Sequence, residues 1–220
     1  MKMIKLFLDT ETTGLSADKQ DVIQIGAISE SGEQFEGKCQ PHRWDTIAQQ
    51  ALDVHGYQYE DLRKFQDPSD LLIKFVEFLE EHTPVDEDFR IQIVAHNASF
   101  DYRFMKAWWE KCGLSTWDDV FCTKDEVICT QKLARDAKKA GLLDVENVKL
   151  VTVASHLGIE FDAHDALGDT IACKGIYDYF FPNGDDDAVS TGGQSDEELA
   201  EDGRKPVEEY KPDTAGKMVL

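Results

Sequence analysis

The sequence predicts an α/β domain in which a central sheet is covered by helices. Short apolar runs dominate the first forty or so residues, and longer segments with apolar residues at helical spacing follow them. One further apolar run interrupts the helical segments. Strands first, and then helices alternating with a strand, are typical of a sheet whose faces are buried under helices. The 220 residues are enough for one such domain with its own core.

Four segments are predicted as strands. Residues 4–8 form a short apolar run that ends at an acidic residue, and residues 22–29 form a second run. Residues 34–39 follow a short Ser-Gly turn, and residues 91–95 form the fourth strand.

The remaining apolar segments are predicted as helices. Asp67 and Pro68 are a typical helix start, with Asp at the N-cap and Pro at the first helical position. Ser99 is expected to cap the next helix, and glycines follow several of the helix ends. The predicted helices are 68–83, 99–111, 125–140, 150–157 and 165–180.

The charge and the hydropathy exclude two classes of partner. Asp and Glu number 44 against 23 Lys and Arg, which gives a formal net charge of −21. A broad basic face for duplex nucleic acid is therefore excluded, although local binding is open where metal ions supply the positive charge. No apolar run approaches the roughly 18 residues of a membrane span, and the first residues do not form a signal peptide. We expect no membrane partner and a cytoplasmic location.

The composition changes after residue 182. Residues 183–220 contain 11 acidic and 4 basic residues and a single aromatic residue. Such a segment buries too little apolar surface to offset its ordering entropy. We therefore expect one domain over 1–182 and an acidic, disordered C-terminal tail over 183–220. A solvated tail without a role is the simpler interpretation, and a tether to a polymerase or another replication or repair protein is the functional one.

The first candidate site stands at the end of the first predicted strand. Asp9 and Glu11 are two residues apart, so they project from the same face of that strand. Neighbouring carboxylates raise each other's pKa unless cations lie between them, and hard ions such as Mg²⁺ or Mn²⁺ prefer oxygen ligands. Alone, this spacing is more often a solvated strand end.

Two further polar motifs stand at the boundaries of predicted elements. Asp101 follows the fourth strand and falls in the first turn of a helix, where an acid also complements the helix dipole. His164 and Asp169 are five residues apart, so they converge only if His164 lies in the loop and Asp169 lies inside the last helix. Each motif alone has an ordinary surface interpretation.

Together these residues form the set that phosphodiester hydrolysis requires. Two-metal hydrolysis uses ions about 3.5–4 Å apart, one for the attacking water and one for the leaving oxygen. It also needs a base for the proton of the water. Four carboxylates and a histidine at the ends of separate elements supply that set.

The sequence resembles the DEDDh exonucleases, a DnaQ-like family within the ribonuclease H-like fold. Three motifs carry the resemblance: DTETTGL at 9–15, HNASFD at 96–101 and HDALGD at 164–169. VIQIGA at 22–27 and VHG at 54–56 also match. Within the family, the proofreading subunits of bacterial DNA polymerase III and phage-encoded relatives are the most similar group. The resemblance implies a five-stranded mixed sheet flanked by helices, with its first three strands antiparallel.

The resemblance also implies roles for the five site residues. Asp9, Glu11 and Asp169 would hold the first of two divalent cations, Mg²⁺ or Mn²⁺, and Asp9 would bridge to the second. Asp101 would act directly or through water, and His164 would be the general base. A Tyr four residues before the last Asp marks the other branch of the family, and that position is Asp165 here.

Substrate contacts follow from the resemblance as well. In the family, the backbone after the first strand and a leucine side chain hold the terminal nucleotide. For Phe100, a place in the core is an equally good interpretation. The implied contacts are Thr10, Thr12, Thr13, Leu15, His55, Asn97 and Phe100.

The implied activity is metal-dependent 3′–5′ hydrolysis of single-stranded DNA ends to nucleoside 5′-monophosphates, in proofreading or in DNA repair or degradation. The acidic composition fits an enzyme that holds only a few terminal nucleotides through stacking and metal–phosphate contacts. A 3′–5′ exoribonuclease acting on RNA ends or short oligoribonucleotides is the alternative, because the same five residues serve both sugars. A non-catalytic binding module is a further alternative, but such a protein would not need all five residues.

Overall fold

A computed structural model describes residues 1–84 and 88–182 of the chain. The acidic segment 183–220 lies outside the described residues, so its predicted disorder and its predicted partner stay predictions. Within the two described ranges, no helix is both long enough and apolar enough to cross a membrane.

A five-stranded mixed sheet forms the centre of the domain. Its strands are β1 (Lys2–Thr12), β2 (Val22–Ser29), β3 (Gln34–Lys38), β4 (Phe89–Ala95) and β5 (Ile128–Cys129). Their order in the sheet is β3-β2-β1-β4-β5. The pairs β1–β2 and β2–β3 are antiparallel, whereas β1–β4 and β4–β5 are parallel. The predicted fold class and the antiparallel arrangement of the first three strands are therefore confirmed.

Helices cover both faces of this sheet. The described helices are α1 (Gln49–His55), α2 (Tyr59–Leu62), α3 (Pro68–Glu81), α4 (Ala98–Lys111), α5 (Trp117–Val120), α6 (Thr130–Lys139), α7 (Leu150–His156) and α8 (Ala166–Phe180). Leu6 and Leu8 lie in the same core cluster as the apolar faces of α3 and α4. Phe7, between them, packs with Cys173 and Tyr177 of α8. Because the middle of β1 is buried on both faces, residues 6–8 are all apolar rather than alternating.

The start of α3 confirms the predicted cap. The Asp67 side chain accepts a hydrogen bond from the Ser69 amide, and Pro68 occupies the first helical position. The N-cap predicted for α4, Ser99, was wrong. Asn97, with φ of 70°, is the N-cap of that helix, and Ser99 lies inside it.

Two predicted elements have different bounds in the structure. The strand predicted over 4–8 continues as β1 to Thr12, because residues 9–12 pair with β2. The helix predicted over 125–140 was wrong in its first part. A 3₁₀ turn (Lys124–Glu126) and strand β5 precede α6 there. Val127 and Ile128 are fully buried, and Ile128 pairs with Val94 of β4, so tertiary pairing decides the local structure.

Candidate active site

Three carboxylates from two elements meet near the C-terminal end of β1. One oxygen from each of Asp9, Glu11 and Asp169 lies within 4.8 Å of the other two. Asp9 and Glu11 alternate with Thr10 along β1 and so share a face, and Asp169 lies in the first turn of α8. The pairing of β1 with β2 shifts register between Glu11 and Thr12. Gln24 pairs with Glu11 and Val22 with Thr12, so the extra residue of this irregularity is Ile23 on β2.

This donor set fits divalent cations. Three ionised carboxylates this close repel one another unless positive charge lies between them. All-oxygen sites of this kind suit hard ions such as Mg²⁺ or Mn²⁺. The arrangement is therefore a candidate metal centre, and the geometry leaves the identity of the ion open.

The fourth carboxylate, Asp101, is held beside this group by Thr10. Asp101 Oδ1 accepts a hydrogen bond from the Thr10 amide (3.1 Å) and another from the Thr10 hydroxyl (2.9 Å). Asp101 lies in the first turn of α4, as the sequence predicts, and only 1% of it is exposed. Because Thr10 stands between Asp9 and Glu11, these bonds fix α4 to the strand that carries both acids.

His164 occupies the turn that leads into α8. Its backbone φ is 66°, in the left-handed region that non-glycine residues seldom adopt. Strained conformations of this kind are concentrated at functional sites. The His164 amide donates a hydrogen bond to Asp169 Oδ1 over 3.3 Å, and the residue is exposed. The loop-then-helix arrangement that the sequence required is therefore present.

A glycine on β2 allows α8 to approach the sheet. A Cβ at Gly26 would lie 2.3 Å from the carbonyl carbon and oxygen of Ala166 in the first turn of α8. Gly26 is the strand partner of Asp9. The Thr170 hydroxyl donates to the carbonyls of Gly26 (3.1 Å) and Ala166 (2.7 Å), which fastens the helix at this point. The close approach brings Asp169 to the two acids of β1.

His96 links three segments behind the site. Its Nε2 lies 2.9 Å from the Val148 carbonyl, and its Nδ1 lies 2.9 Å from the Thr130 hydroxyl. A carbonyl only accepts, so Nε2 donates. Burial lowers the pKa of His96 to about 4, so the ring is neutral and Nδ1 accepts from Thr130. His96 thus joins the end of β4 to α6 and to the segment before α7.

An ion cluster around the buried Asp21 supports the loop between β1 and β2. Asp21 Oδ1 lies 2.7 Å from Lys111 Nζ and 3.0 Å from an Arg43 guanidinium nitrogen, and Asp21 is 1% exposed. Burial raises the pKa of Asp21, but the hydrogen bonds from Arg43 and Lys111 outweigh it and hold the pKa below its usual value. Lys111 also donates to the carbonyls of Ala17 and Gln20. These contacts fix the loop that carries Leu15.

The predicted substrate residues of this loop differ in accessibility. Leu15 is 60% exposed, whereas Thr10, Thr12 and Thr13 are buried. The Thr12 hydroxyl donates to the Gly14 carbonyl (2.7 Å), and the Thr13 hydroxyl accepts from the Asp21 amide (2.9 Å). The threonine hydroxyls therefore shape the loop itself, and Leu15 projects from it.

One ring nitrogen of His55, Nε2, is a buried donor whose hydrogen bond is not used within the described part of the chain. Its Nδ1 accepts a hydrogen bond from the Tyr57 amide over 3.2 Å, so the hydrogen of the neutral ring lies on Nε2. Nε2 is buried and has no hydrogen-bond partner among the residues that the structure describes. Burial lowers the pKa of His55 to about 4.

Asn97 and Phe100 stand at the start of α4. Asn97 is the left-handed N-cap, and the Phe100 amide donates to its carbonyl over 2.8 Å. The Phe100 ring is 5% exposed and packs 4.6 Å from the Phe104 ring, so it belongs to the core beneath the site. The sequence allowed two interpretations of Phe100, a substrate contact or a core residue. This packing favours the core residue.

The residues assembled here fall within the span of one family model. The model of the RNase_T family, described as "Exonuclease", matches residues 6–177. That span contains the four carboxylates and His164. The chain belongs to this exonuclease family.

Relatives of this exonuclease domain include bacterial DNA polymerases. The "DNA polymerase III PolC-type" of Thermotoga maritima is 31% identical over 167 residues, which cover 74% of this chain and 11% of the relative. The PolC-type polymerase of Bacillus cereus is 31% identical over 169 residues, which cover 74% of this chain and 10% of the relative. The chain therefore spans about a tenth of the length of these relatives.

Solved exonuclease structures share the fold. E. coli exonuclease I in complex with a dT13 oligonucleotide has a TM-score of 0.61 at 17% identity, covering 82% of this chain and 44% of that one. Cell-death related nuclease 4 has a TM-score of 0.62 at 15% identity, covering 82% of this chain and 64% of that one. At these identities the likeness shows the fold of the exonuclease domain.

Sequence reasoning missed the residues that support the exonuclease site. Asp21 directly precedes β2, but its partners Arg43 and Lys111 lie 22 and 90 residues further along the chain. No local pattern names such partners. His96 stands inside a matched motif, and its two long-range contacts were likewise without a sequence signal.

Proposed function

We propose that this exonuclease hydrolyses single-stranded DNA from the 3′ end and releases nucleoside 5′-monophosphates. The observation that carries the proposal is the convergence of Asp9, Glu11 and Asp169, with one oxygen of each within 4.8 Å of the others. Asp101 and His164 are tied to that group by hydrogen bonds to Thr10 and Asp169. These are the residue types and positions that two-metal phosphodiester hydrolysis requires.

Each side chain has one part in the proposed reaction. Two divalent cations, Mg²⁺ or Mn²⁺, supply Lewis acidity when bound by Asp9, Glu11, Asp101 and Asp169. His164 accepts the proton of the attacking water, whose oxygen forms a bond to phosphorus while the bond between phosphorus and the leaving 3′ oxygen breaks. The leaving oxygen takes a proton from solvent and becomes the new 3′ hydroxyl. Its exposed place in the turn before α8 gives it access to water and substrate.

The substrate is held by the opposite side of the site. Leu15 projects from a loop that Asp21 anchors, and its exposed side chain packs on the terminal nucleotide. The buried Nε2–H of His55 is a donor for that nucleotide, because a buried donor gains most from a partner. Asn97 and the backbone of 10–13 complete the proposed contacts.

The biological setting is part of the proposal. The PolC-type relatives favour a role beside DNA synthesis, such as proofreading, and a polymerase or another replication or repair protein would be the partner. The acidic segment 183–220 is the proposed attachment. We also propose that the domain works in the cytoplasm, where a bacterial or phage-type replication protein meets its substrate.

A gel assay tests the activity. A 5′-labelled single-stranded DNA 20-mer is incubated with Mg²⁺, with Mn²⁺ or with EDTA, beside an RNA 20-mer of the same sequence. We expect a metal-dependent ladder that shortens from the 3′ end of the DNA. Immediate release of the labelled nucleotide would contradict the polarity, and degradation of RNA alone would favour the exoribonuclease.

Two variants assign the base. His164→Ala is expected to lower kcat by about 10²–10⁴-fold, the usual contribution of a general base. His156→Ala is the matched control, because His156 is an exposed histidine at the end of α7. Equal activity of both variants would remove His164 from the mechanism. No degradation of either polymer by the wild-type chain with any divalent ion would overturn the proposed function.

A further inference from the structure

One buried glutamine joins the two sides of the candidate site. Gln24 lies on β2 opposite Glu11, and none of its surface is exposed. Its Nε2 donates to Asp165 Oδ1 over 2.7 Å and to Glu36 Oε1 over 3.2 Å. Its Oε1 accepts a hydrogen bond from the Tyr57 hydroxyl over 2.9 Å. The side-chain amide is therefore bonded on both ends.

The partners fix the orientation of this amide. Asp165 and Glu36 are carboxylates that accept hydrogen bonds, whereas the Tyr57 hydroxyl has a hydrogen to donate. A flipped amide would place its oxygen against two carboxylates and its NH₂ against the hydroxyl. Lys38 pairs with Glu36 over 2.9 Å, so that carboxylate is itself held in place.

One end of Gln24 reaches the turn that carries His164. Asp165 is the N-cap of α8, and its Oδ2 accepts from the Gly168 amide over 3.3 Å. Its other oxygen takes the bond from Gln24. The turn before α8 is thereby attached to the sheet next to Glu11. His164 precedes the cap by one residue, and Asp169 follows it by four.

The other end of Gln24 reaches the segment that carries His55. The Tyr57 ring lies 5.0 Å from the His55 ring, and the Tyr57 amide donates to His55 Nδ1. The bond from Tyr57 to Gln24 therefore holds the segment whose His55 Nε2–H faces no described partner. The Tyr57 amide is thus bonded to His55, and the Tyr57 hydroxyl is bonded to Gln24. Gln24 in turn is bonded to Asp165.

We propose that Gln24 is a positioning residue that sets the His164 turn and the His55 segment relative to each other. The inference rests on the proposed exonuclease activity, in which His164 acts on the water and His55 contacts the terminal nucleotide. Because none of the Gln24 surface is exposed, its proposed role is indirect. Its effect passes through Asp165 on one side and Tyr57 on the other.

Two substitutions break the chain at different points. Gln24→Met keeps the length of the side chain and removes both hydrogen-bonded ends. Tyr57→Phe keeps the ring and removes only the hydroxyl, which donates the hydrogen bond to Gln24 Oε1. Gln92→Met is the matched control, because Gln92 is a strand glutamine whose Nε2 donates to the Glu126 carbonyl over 2.7 Å, away from these residues.

Steady-state kinetics with single-stranded DNA give the first readout. We expect Gln24→Met to lower kcat about tenfold or more while KM changes less than about threefold, since displacement of a reacting group by an ångström can lower the rate by up to about a hundredfold. Tyr57→Phe should lower kcat as well, and the double variant should be no slower than Gln24→Met. Additive effects, or a kcat of Gln24→Met equal to that of Gln92→Met, would overturn the proposal.

Hydrogen exchange gives a readout that does not need activity. The amides of residues 164–168 should exchange faster in Gln24→Met, and also in Tyr57→Phe, although Tyr57 lies on the far side of Gln24 from that turn. Unchanged exchange there in both variants would refute the linkage. Inactivity of the wild-type chain on DNA and RNA would instead refute the proposed function, and exchange would still decide whether Gln24 holds the turn.

Discussion

The amide and the hydroxyl of Thr10 both donate to the same carboxylate oxygen of Asp101, over 3.1 and 2.9 Å. Thr10 separates the two acids of β1, and Asp101 belongs to the first turn of α4. The two bonds therefore set the position of the fourth carboxylate relative to the other three. Both partners are buried, so the bonds are shielded from water.

Thr10→Val should separate the contribution of the hydroxyl from that of the amide. Valine keeps the branched shape and the hydrogen bond from the backbone amide, but it removes the hydrogen bond that the Thr10 hydroxyl donates to Asp101. We expect a loss of about 1–2 kcal/mol in the free energy of unfolding, because the acceptor is charged, together with a lower kcat. Urea unfolding and the DNA assay measure the two effects. Thr83→Val is the control, because the Thr83 hydroxyl donates to the Leu79 carbonyl far from the site; an equal loss of kcat there would contradict this role.

Divalent cations should stabilise the fold through the acidic cluster. A ligand at 100 times its Kd adds about 2.7 kcal/mol to the free energy of unfolding, so Mg²⁺ or Mn²⁺ should raise the Tm by several degrees. Asp9→Asn should abolish most of that rise without lowering the metal-free Tm, because it relieves repulsion within the cluster. Asp178→Asn, on the exposed part of α8 and paired with Lys174, is the control. A metal-induced shift retained in Asp9→Asn would remove Asp9 from the metal site.

The contact of Gly26 with Ala166 predicts that a single methyl group displaces α8. Gly26→Ala places a Cβ 2.3 Å from the Ala166 carbonyl, and backbone cannot move as a flexible side chain can. We expect a loss of about 1–3 kcal/mol, typical of an overpacked core, and a fall in kcat as Asp169 moves away from Asp9. Gly175→Ala in the same helix meets the end of the Ile159 side chain instead and should be nearly neutral. Equal activity of the two variants would contradict this account.

The parts of the fold that depend on local patterns could be predicted from the sequence. Asp67 and Pro68 define the start of α3 because capping is local, and the two-residue period of a strand places Asp9 and Glu11 on one face. Strand β5 has only two residues, which is too short for any periodicity, so residue-level reasoning placed a helix there. Its existence followed only from the family resemblance.

The supporting contacts of the site could not be predicted in this way. Gln24 and Asp165 are 141 residues apart, and Asp21 and Lys111 are 90 apart. Such pairs form only when strands and helices from distant segments pack together, so no spacing within the sequence encodes them. The residues proposed to carry the chemistry are therefore easier to predict than those that hold them in place.

The ion pairs of Asp21 with Arg43 and Lys111 should stabilise the folded chain at neutral pH, and this stabilisation should be lost in acid. The pKa of Asp21 is lower in the folded chain than in the unfolded one, so its contribution is complete above the unfolded pKa of about 3.9 and is lost as the pH falls through the folded pKa. At pH 7, Asp21→Asn should lower the free energy of unfolding by about 2–4 kcal/mol, since Arg43 and Lys111 are left without their counter-charge but are partly exposed. Urea unfolding at pH 7 and at pH 3 should show a smaller difference between variant and wild type at pH 3.

His96 should also make the fold sensitive to mild acid, in the same sense as Asp21, because its pKa is likewise lower in the folded chain. Its pKa is about 4 in the folded chain and about 6.5 when unfolded, so below pH 6.5 the unfolded state binds the extra proton and stability falls until about pH 4. The lowering of the His96 pKa to about 4 sets an upper limit of about 3 kcal/mol for this loss.

The variant His96→Gln tests whether His96 causes this loss of stability in mild acid. The variant should be less stable than the wild type at pH 7.5, because the bonds to Thr130 and Val148 are weakened. Between pH 6.5 and 4, its free energy of unfolding should fall less steeply than that of the wild type. The comparison must be made between the two chains, because His55 has a similarly lowered pKa and contributes to both. Parallel curves over this range would show that His96 is not the group that titrates.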